Sequence, residues 1–409
     1  MKHFDALETR DPAVRETAQF EQLQVQLRHL QAHTRYGAEQ LAGLDTRSVH
    51  GRADLARLPL LRKRDIAARQ AASRASDPLG GLAAVGWGAI APNGARAAKV
   101  FQSPGPIYEP EAATPDPWRI ARALWAARFR AGDLVHNSFS YHLTPAGSMM
   151  ESGCLALGCT VLPAGVGATE QQLQAIHDLQ PAAYCGTPSF LRILLEKGAS
   201  SFKKALVSGE AFPVALRDWC FEQGVLAYQA YATADCGLIA YETEAREGLV
   251  VDEGVIVELV QPGTGTPVAE GEVGEVVVTR LDSAYPLLRY ATGDLSAALP
   301  GASPCGRTNQ RLRGWLGRAD QSAKVRGLFV HEAQFNQLRM RFPGLKLRWV
   351  VEGEMANDRF TVEVEGAPDE GLATQLQDAT RELTKLRAEA RFVTQLPADG
   401  RVIEDRRVV

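Results

Sequence analysis

The sequence contains no CxxC pair. Its six cysteines stand alone at 154, 159, 185, 220, 236 and 305, mostly inside apolar stretches. That spacing excludes a dense disulfide framework, points to reduced and partly buried thiols, and omits the ligand pairs that mark a zinc site. Long apolar runs are missing too, and none approaches the roughly 18 residues of a membrane span. The charged start MKHFDALETRDP has no apolar segment of signal-peptide length, so a cytoplasmic chain with no membrane partner is expected. Neither sign of charge dominates. Lys and Arg number 45 against 48 Asp and Glu, and a net charge of -3 argues against non-specific nucleic-acid binding.

What the sequence does have is bulk. Its 409 residues, 45% of them hydrophobic, exceed what one core usually supports, so two unequal domains are expected. Residues 13–40 and 47–75 carry Ala, Leu, Arg and Gln at helical spacing. From about residue 94 strand and helix patterns alternate: KVFQ, a helix over PWRIARALWAARF, DLVHNSFS, a helix through MMESGCLALG, and CTVLPAG. Helices at TEQQLQAIHDL, SFLRILLEKG and PVALRDWCFEQG then alternate with AAYCGTP, KKALVSG and VLAYQAYA. This rhythm predicts an α/β fold of parallel sheets covered by helices, with ligands outside the carboxyl ends of the strands. After residue 248 the segments VIVELVQPG and GEVGEVVVTRL, joined by Gly and Pro turns, predict an antiparallel β subdomain. The last segment, with FTVEVEG and a helix at DEGLATQLQDATRELTKLRAEA, has the size of a small α+β lid. The expected division is a large domain at 1–317 and a small mobile one at 318–409.

Four segments, KALVSGEAFP, AYATADCG, YPLLRYATGDL and GRADQSAKVRG, follow one another in the second half of the chain. In this order, and with the stretch 141–198 before them, they resemble the phenylacetate-CoA ligase branch of the adenylate-forming enzymes over nearly the whole chain. The resemblance implies two half-reactions. A carboxylate attacks the α-phosphate of ATP to give acyl-AMP and pyrophosphate, and the small domain then swings so that coenzyme A takes the acyl group.

By the same resemblance Ser208, Gly209 and Glu210 lie along the adenine, Tyr231 stacks on its face beside Ala232, and Asp235 stands where the family places a magnesium-binding Glu. A carboxylate is the hard oxygen ligand that magnesium requires, and a flat ring offers an aromatic base dispersion contact. The core-tyrosine and helix N-cap readings of Tyr231 and Asp235 stay open at this point. Asp294 is expected to accept from both ribose hydroxyls, Arg318 to contact ribose or phosphate, Asp320 to be the hinge, and Lys324 to bring charge near it. The acyl pocket is expected to include Tyr141, His142, Ala146, Gly147, Thr187, Pro188, Cys236 and Gly237. These residues include no obvious cation for a second acid group, which favours an aromatic or arylacetic monocarboxylic acid. The family also implies a homodimer.

Two segments depart from the family. FQSPGPIYEPE stands at the phosphate loop, with Ser103, Gly105 and Pro110 in step. Pro106, Ile107, Tyr108 and Glu109 replace two threonines, a glycine and a lysine, so that hydroxyls, a backbone N–H and a cation are lost and an anion appears. Near the C-terminus Arg401 follows Gly400 where the family has the catalytic lysine, exchanging a point donor for a planar fork. Two alternatives to the CoA ligase therefore stand: adenylation with transfer to an amine or other acceptor, and a nucleotide-binding homologue without turnover.

Overall fold

The computed structural model describes residues 2–407 except 263, 320, 321, 327 and 354–356. Four apolar runs of four residues, each ended by Gly, Pro or Ser, and one eight-residue strand form the parallel part of the large sheet. In spatial order these strands are Thr160–Pro163, Leu134–Asn137, Ala183–Gly186, Lys204–Val207 and Leu226–Thr233, all parallel. Helices Ala146–Ala156, Thr169–Leu179, Pro188–Glu196 and Val214–Glu222 are the crossovers between them. The antiparallel strands are not a separate body. Gly237–Tyr241 folds back on Leu226–Thr233, and Leu249–Val251, Arg311–Leu312, Tyr290–Leu299, Val273–Arg280 and Val255–Val260 continue the same sheet. Parallel and antiparallel halves thus meet at the strand that carries Tyr231.

One segment expected in the parallel rhythm lies elsewhere. KVFQ belongs to the strand Ala97–Ser103, which pairs antiparallel with Ile107–Ala112 in a two-stranded sheet of its own. The Pro104–Gly105–Pro106 turn reverses the chain too soon for a crossover. The stretch resembling a phosphate loop is therefore a β-hairpin.

At the N-terminus the helix Pro12–His33 starts on Asp11, whose carboxylate accepts from the N–H groups of Ala13 and Val14. Its Leu23, Leu27 and Leu30 are fully buried in a core with Ile256, Val276, Val278 and Tyr285. Further along, the short strand Leu61–Arg62 pairs in parallel with Tyr290 and Ala291. Lys63 begins the next helix, Lys63–Ser73, immediately after that pairing.

Beyond residue 322 a third core gathers Ala323, Phe335, Trp349, Phe360, Val362 and Leu376. It lies between the helices Glu332–Arg341 and Glu370–Thr384 and a four-stranded sheet ordered Glu389–Val393, Arg359–Glu365, Leu347–Glu352, Ile403–Asp405. The expected helix through Ala390 ends early. Lys385 takes a left-handed φ of 65° as C-cap, and the residues after it turn into the strand Glu389–Val393.

Under the parallel strand ends lies a polar-aromatic cluster. His136 stacks near Tyr184 at 6.2 Å and donates from Nε2 to Gln172 Oε1 at 2.7 Å, while Nδ1 has no partner. Burial holds this imidazole below its usual pKa, so the folded protein keeps it neutral. The unfolded chain takes up a proton near pH 6.5, so stability is full above that pH and is lost as pH falls toward the lower folded-state pKa. Chemical denaturation between pH 7 and pH 5 is expected to show this loss. His136→Phe is expected to be less stable at pH 7 with a flatter pH profile, and an unchanged profile would place the titrating group elsewhere.

Candidate functional site

The carboxyl ends of the parallel strands open onto Ser138, Thr187, Ser208 and Tyr231. Thr187 caps the helix Pro188–Glu196, accepting from the Phe190 N–H at 3.4 Å, with Pro188 at the first turn where its missing N–H costs nothing. Ser208 Oγ donates to Ala230 O at 2.7 Å and so ties two strand ends together. Glu210 accepts weakly from the Ser189 N–H at 3.4 Å. Gly186 has to be glycine, since a Cβ there would lie 2.0 Å from the Tyr184 hydroxyl and 2.1 Å from Ser138 Oγ.

Asp294 is the most heavily engaged carboxylate on this side. Its Oδ1 accepts from Arg318 Nη1 at 2.9 Å and from Trp315 Nε1 at 3.1 Å, and its Oδ2 from the Tyr231 hydroxyl at 2.8 Å. Arg318 also donates to Thr292 O at 3.3 Å, and residues 294 and 318 form an isolated β-bridge. Burial and the Asp294 charge hold the Tyr231 phenol well above its usual pKa, which keeps it a donor. An acceptor-only carboxylate at a strand turn, flanked by an aromatic face and a guanidinium, suits a vicinal diol next to a flat base.

Asp235 lies in the turn between the strands Leu226–Thr233 and Gly237–Tyr241, not at a helix N-cap. Its Oδ2 accepts from the Tyr290 hydroxyl at 2.8 Å, with Lys63 Nζ 3.9 Å away. Its carbonyl accepts from the buried Arg280 at 3.1 Å, which fixes the turn. Oδ1 has no hydrogen-bond partner. A buried carboxylate oxygen with no protein donor is chemically a ligand that fits magnesium. Among the described residues no group of three or more His, Cys, Asp or Glu gathers for a metal, so water or substrate oxygens would complete the shell.

The hairpin shares an apolar core with this turn, through Ile107 and Cys236. Glu109 is fully buried, its Oε1 accepting from Ser103 Oγ. Burial, then the charge of Asp235, push its carboxyl well above the usual range. Gln70 holds the hairpin from below, donating to Tyr108 O and accepting from Tyr108 N, each at 2.8 Å. One helix therefore supplies both Lys63 and the residue that positions the Glu109 strand.

Residues 121–281 match the family model described as AMP-binding enzyme. The phenylacetate-coenzyme A ligase of Thermus thermophilus is 31% identical over 348 residues, covering 79% of this chain and 75% of that one. The chain belongs to the phenylacetate-coenzyme A ligase family. The Aromatoleum evansii ligase of the same name is 31% identical over 64% of this chain and 65% of its own. Among solved structures, 2-hydroxyisobutyryl-CoA ligase with 2-HIB-AMP and CoA in the thioesterification state superposes with a TM-score of 0.79 at 23% identity, covering 98% of this chain and 91% of that one. Its postadenylation state gives 0.71 at 24% identity, covering 99% and 93%.

Within this family frame the acyl side is partly assembled. Asn137 Nδ2 donates to the Tyr141 hydroxyl at 2.8 Å and to Gly147 O at 2.9 Å, drawing Tyr141 onto the helix Ala146–Ala156. Gly147 permits that approach, since a Cβ would lie 2.8 Å from the Tyr141 ring. His142 is exposed, and Ala146 and Thr187 are half-buried. Cys236 corrects the expected pocket. It has no exposed surface, its thiol is pushed up to about 12 by burial, and it belongs to the core with Ile107 and Ile239. Gly237 likewise packs against Trp118.

On the C-terminal side Arg401 is exposed, with its backbone N–H bonded to Asp399 Oδ1 at 3.0 Å, and Asp399 pairs with the buried Arg348. No ion pair of Arg401 is present among the described residues. Asp320 and the Lys324 side chain lie outside the described residues.

Sequence reasoning missed Lys63, Gln70, Arg280, Tyr285, Tyr290 and Trp315. Tyr290 and Trp315 lie within or beside quoted motifs, whereas Lys63 and Gln70 have no motif, only a capping pattern at Arg62 and Asp65. Gln70→Ala is expected to destabilise the protein by about 2–4 kcal/mol, because two backbone groups of Tyr108 lose their partner. Urea denaturation checks it, and a change under about 0.5 kcal/mol would show that the hairpin is held by its own strand pairing.

Proposed function

We propose that the protein activates an aromatic or arylacetic monocarboxylic acid with ATP, giving acyl-AMP and pyrophosphate, and passes the acyl group to the thiol of coenzyme A. The observation that carries this reading is the convergence of Tyr231, Trp315 and Arg318 on Asp294, with the open oxygen of Asp235 in the turn that follows the Tyr231 strand. In this reading Asp294 takes the ribose hydroxyls, exchanging its protein donors for the diol. Tyr231 flanks the adenine, with Ser208, Gly209, Glu210 and Ala232 along its edge. Arg318 follows the ribose toward the phosphates. Magnesium, when bound, supplies charge to the phosphate oxygens, and Asp235 is the residue that would hold it.

The hairpin carries no cation toward these oxygens apart from Lys99, which pairs with Glu111. Positive charge on the phosphate side comes instead from Lys63, whose Nζ stands next to Asp235. The unit 318–409 acts as the lid, supported by its own apolar core. Its swing would bring Arg401 to the carboxylate and α-phosphate in the first half-reaction and remove it for the second. The acid enters over Tyr141, Gly147 and Thr187, whose surroundings are aromatic and amide rather than cationic. The family likeness also supports assembly as a homodimer.

Pyrophosphate exchange with a panel of aromatic and arylacetic acids tests the first half-reaction. Exchange with at least one acid is expected, and AMP release is expected to accelerate with coenzyme A and not with simple amines. ATP binding without exchange would leave only the non-catalytic reading, and amine-dependent release would replace the acceptor. Arg401→Lys is expected to preserve or raise exchange, since a lysine is the family's point donor here. A fall of more than about tenfold would show a site rebuilt around the guanidinium.

A further inference from the structure

The stretch that carries Arg401 has no regular structure of its own. Between the strands Glu389–Val393 and Ile403–Asp405 the chain forms neither helix nor strand, and Pro397, Ala398, Asp399, Gly400 and Arg401 are all exposed. Its shape is set by one buried side chain. Arg348, 2% exposed, stands on the inner strand Leu347–Glu352 of the small sheet. Its Nη2 donates to Pro397 O at 3.0 Å and to Asp399 Oδ1, and its Nη1 to Asp399 Oδ2 at 3.3 Å and to Glu404 Oε2 at 2.8 Å. One guanidinium thus holds the chain at Pro397 and Asp399 before Arg401 and at Glu404 after it.

Asp399 passes this grip on. Its Oδ1 also accepts from the Arg401 N–H at 3.0 Å, across Gly400, whose left-handed φ of 72° a residue with a Cβ adopts only under strain. A planar fork on both oxygens fixes the orientation of a carboxylate as well as its place, so the Arg401 backbone is aimed. Stability alone does not explain the arrangement. The strand Ile403–Asp405 already pairs with Trp349, Val350 and Val351, and the Trp349 N–H donates to Val402 O at 2.9 Å. The Asp399 side chain is 39% exposed, where an ion pair adds little, while a buried guanidinium whose Nε has no partner is costlier than an apolar side chain of the same volume.

We propose that Asp399, clamped by Arg348, is the positioning residue for Arg401 and serves the adenylation half-reaction alone. This role rests on reading Arg401 as the cation that meets the carboxylate and the α-phosphate. The Arg401 side chain is long and loses rotamer freedom when it reaches the substrate, and a backbone already fixed leaves less freedom to lose. After the proposed swing Arg401 is away from the acyl carbon, so a loosened 397–401 stretch leaves thioester formation intact.

The test separates the two half-reactions in the full chain. Pyrophosphate exchange reads the first, and coenzyme A-dependent consumption of synthetic acyl-AMP reads the second. Asp399→Ala, with its fold checked by circular dichroism, is expected to slow exchange at least about tenfold and to keep thioester formation within about twofold of wild type. Asp399→Asn, which retains an oxygen for the Arg401 N–H, should recover part of the loss. Because Asp399 acts only through Arg401, the double variant Asp399→Ala, Arg401→Ala should exchange no more slowly than Arg401→Ala alone. Should Asp399→Ala not fold, Arg348→Lys decides, since a point donor cannot grip both carboxylate oxygens and the same split between half-reactions is expected. Equal losses in both half-reactions would make Asp399 a structural residue of the lid and overturn the proposal. Unchanged exchange in Asp399→Ala, or a double variant slower than Arg401→Ala, would overturn it too. Wild-type exchange in Arg401→Ala would instead remove the reading of Arg401 on which the role depends, a result distinct from a silent Asp399→Ala beside a damaging Arg401→Ala.

Discussion

The arrangement depends on the Asp294 carboxylate. Two segments distant in sequence end on its two oxygens: the sheet strand bearing Tyr231, and the stretch 315–318 with the indole of Trp315 and the guanidinium of Arg318. None of these contacts alone fixes a binding site. Together they orient an aromatic face, an anion and a cation within one hydrogen-bond length of each other, and they do so where the parallel and antiparallel halves of the sheet join. An exposed ion pair would contribute little. Here the carboxylate is largely buried and its donors are neutral and charged in combination, so removing it would take from an arginine and a tyrosine hydroxyl the acceptor they share.

The second constraint is charge supply. Nucleotide chemistry requires positive charge where phosphate charge develops, and in the proposed reaction the hairpin at 97–112 supplies no free cation, its Lys99 being paired with the buried Glu111. The fold compensates from elsewhere. The parallel pairing of Leu61 with Tyr290 delivers Lys63 beside Asp235, and Gln70, two turns further along the same helix, holds the strand that carries Glu109. In the proposed reaction the helix Lys63–Ser73, which reads as scaffolding, is thus part of the site.

Much of this was legible in the sequence. The alternation of short apolar runs with amphipathic helices reveals the parallel strands from Leu134 onward in order, because Gly, Pro or Ser end most of them. The motif segments placed Tyr231, Asp294 and Arg318, which the structure brings together. Other features were hidden for physical reasons. KVFQ reads as a strand in any context, and only the reversal at Pro104–Gly105–Pro106 decides that it pairs with its neighbour rather than with the main sheet. The end of the helix at Thr384 depends on a left-handed Lys385, a residue type that does not advertise that conformation. Lys63 and Gln70 act across long sequence distances, through pairings that no local periodicity encodes. Cys236 looked like a pocket residue by its position after Tyr231, but the turn at Asp235 directs it into the core.

The convergence on Asp294 is tested most directly by AMP binding to the Asp294→Ala variant, measured by isothermal titration calorimetry beside wild type. Loss of both oxygens that would meet the ribose predicts weakening of about 10- to 100-fold in a protein that remains folded. Wild-type affinity in that variant would contradict the account, because the nucleotide would then be held by residues other than those gathered on this carboxylate.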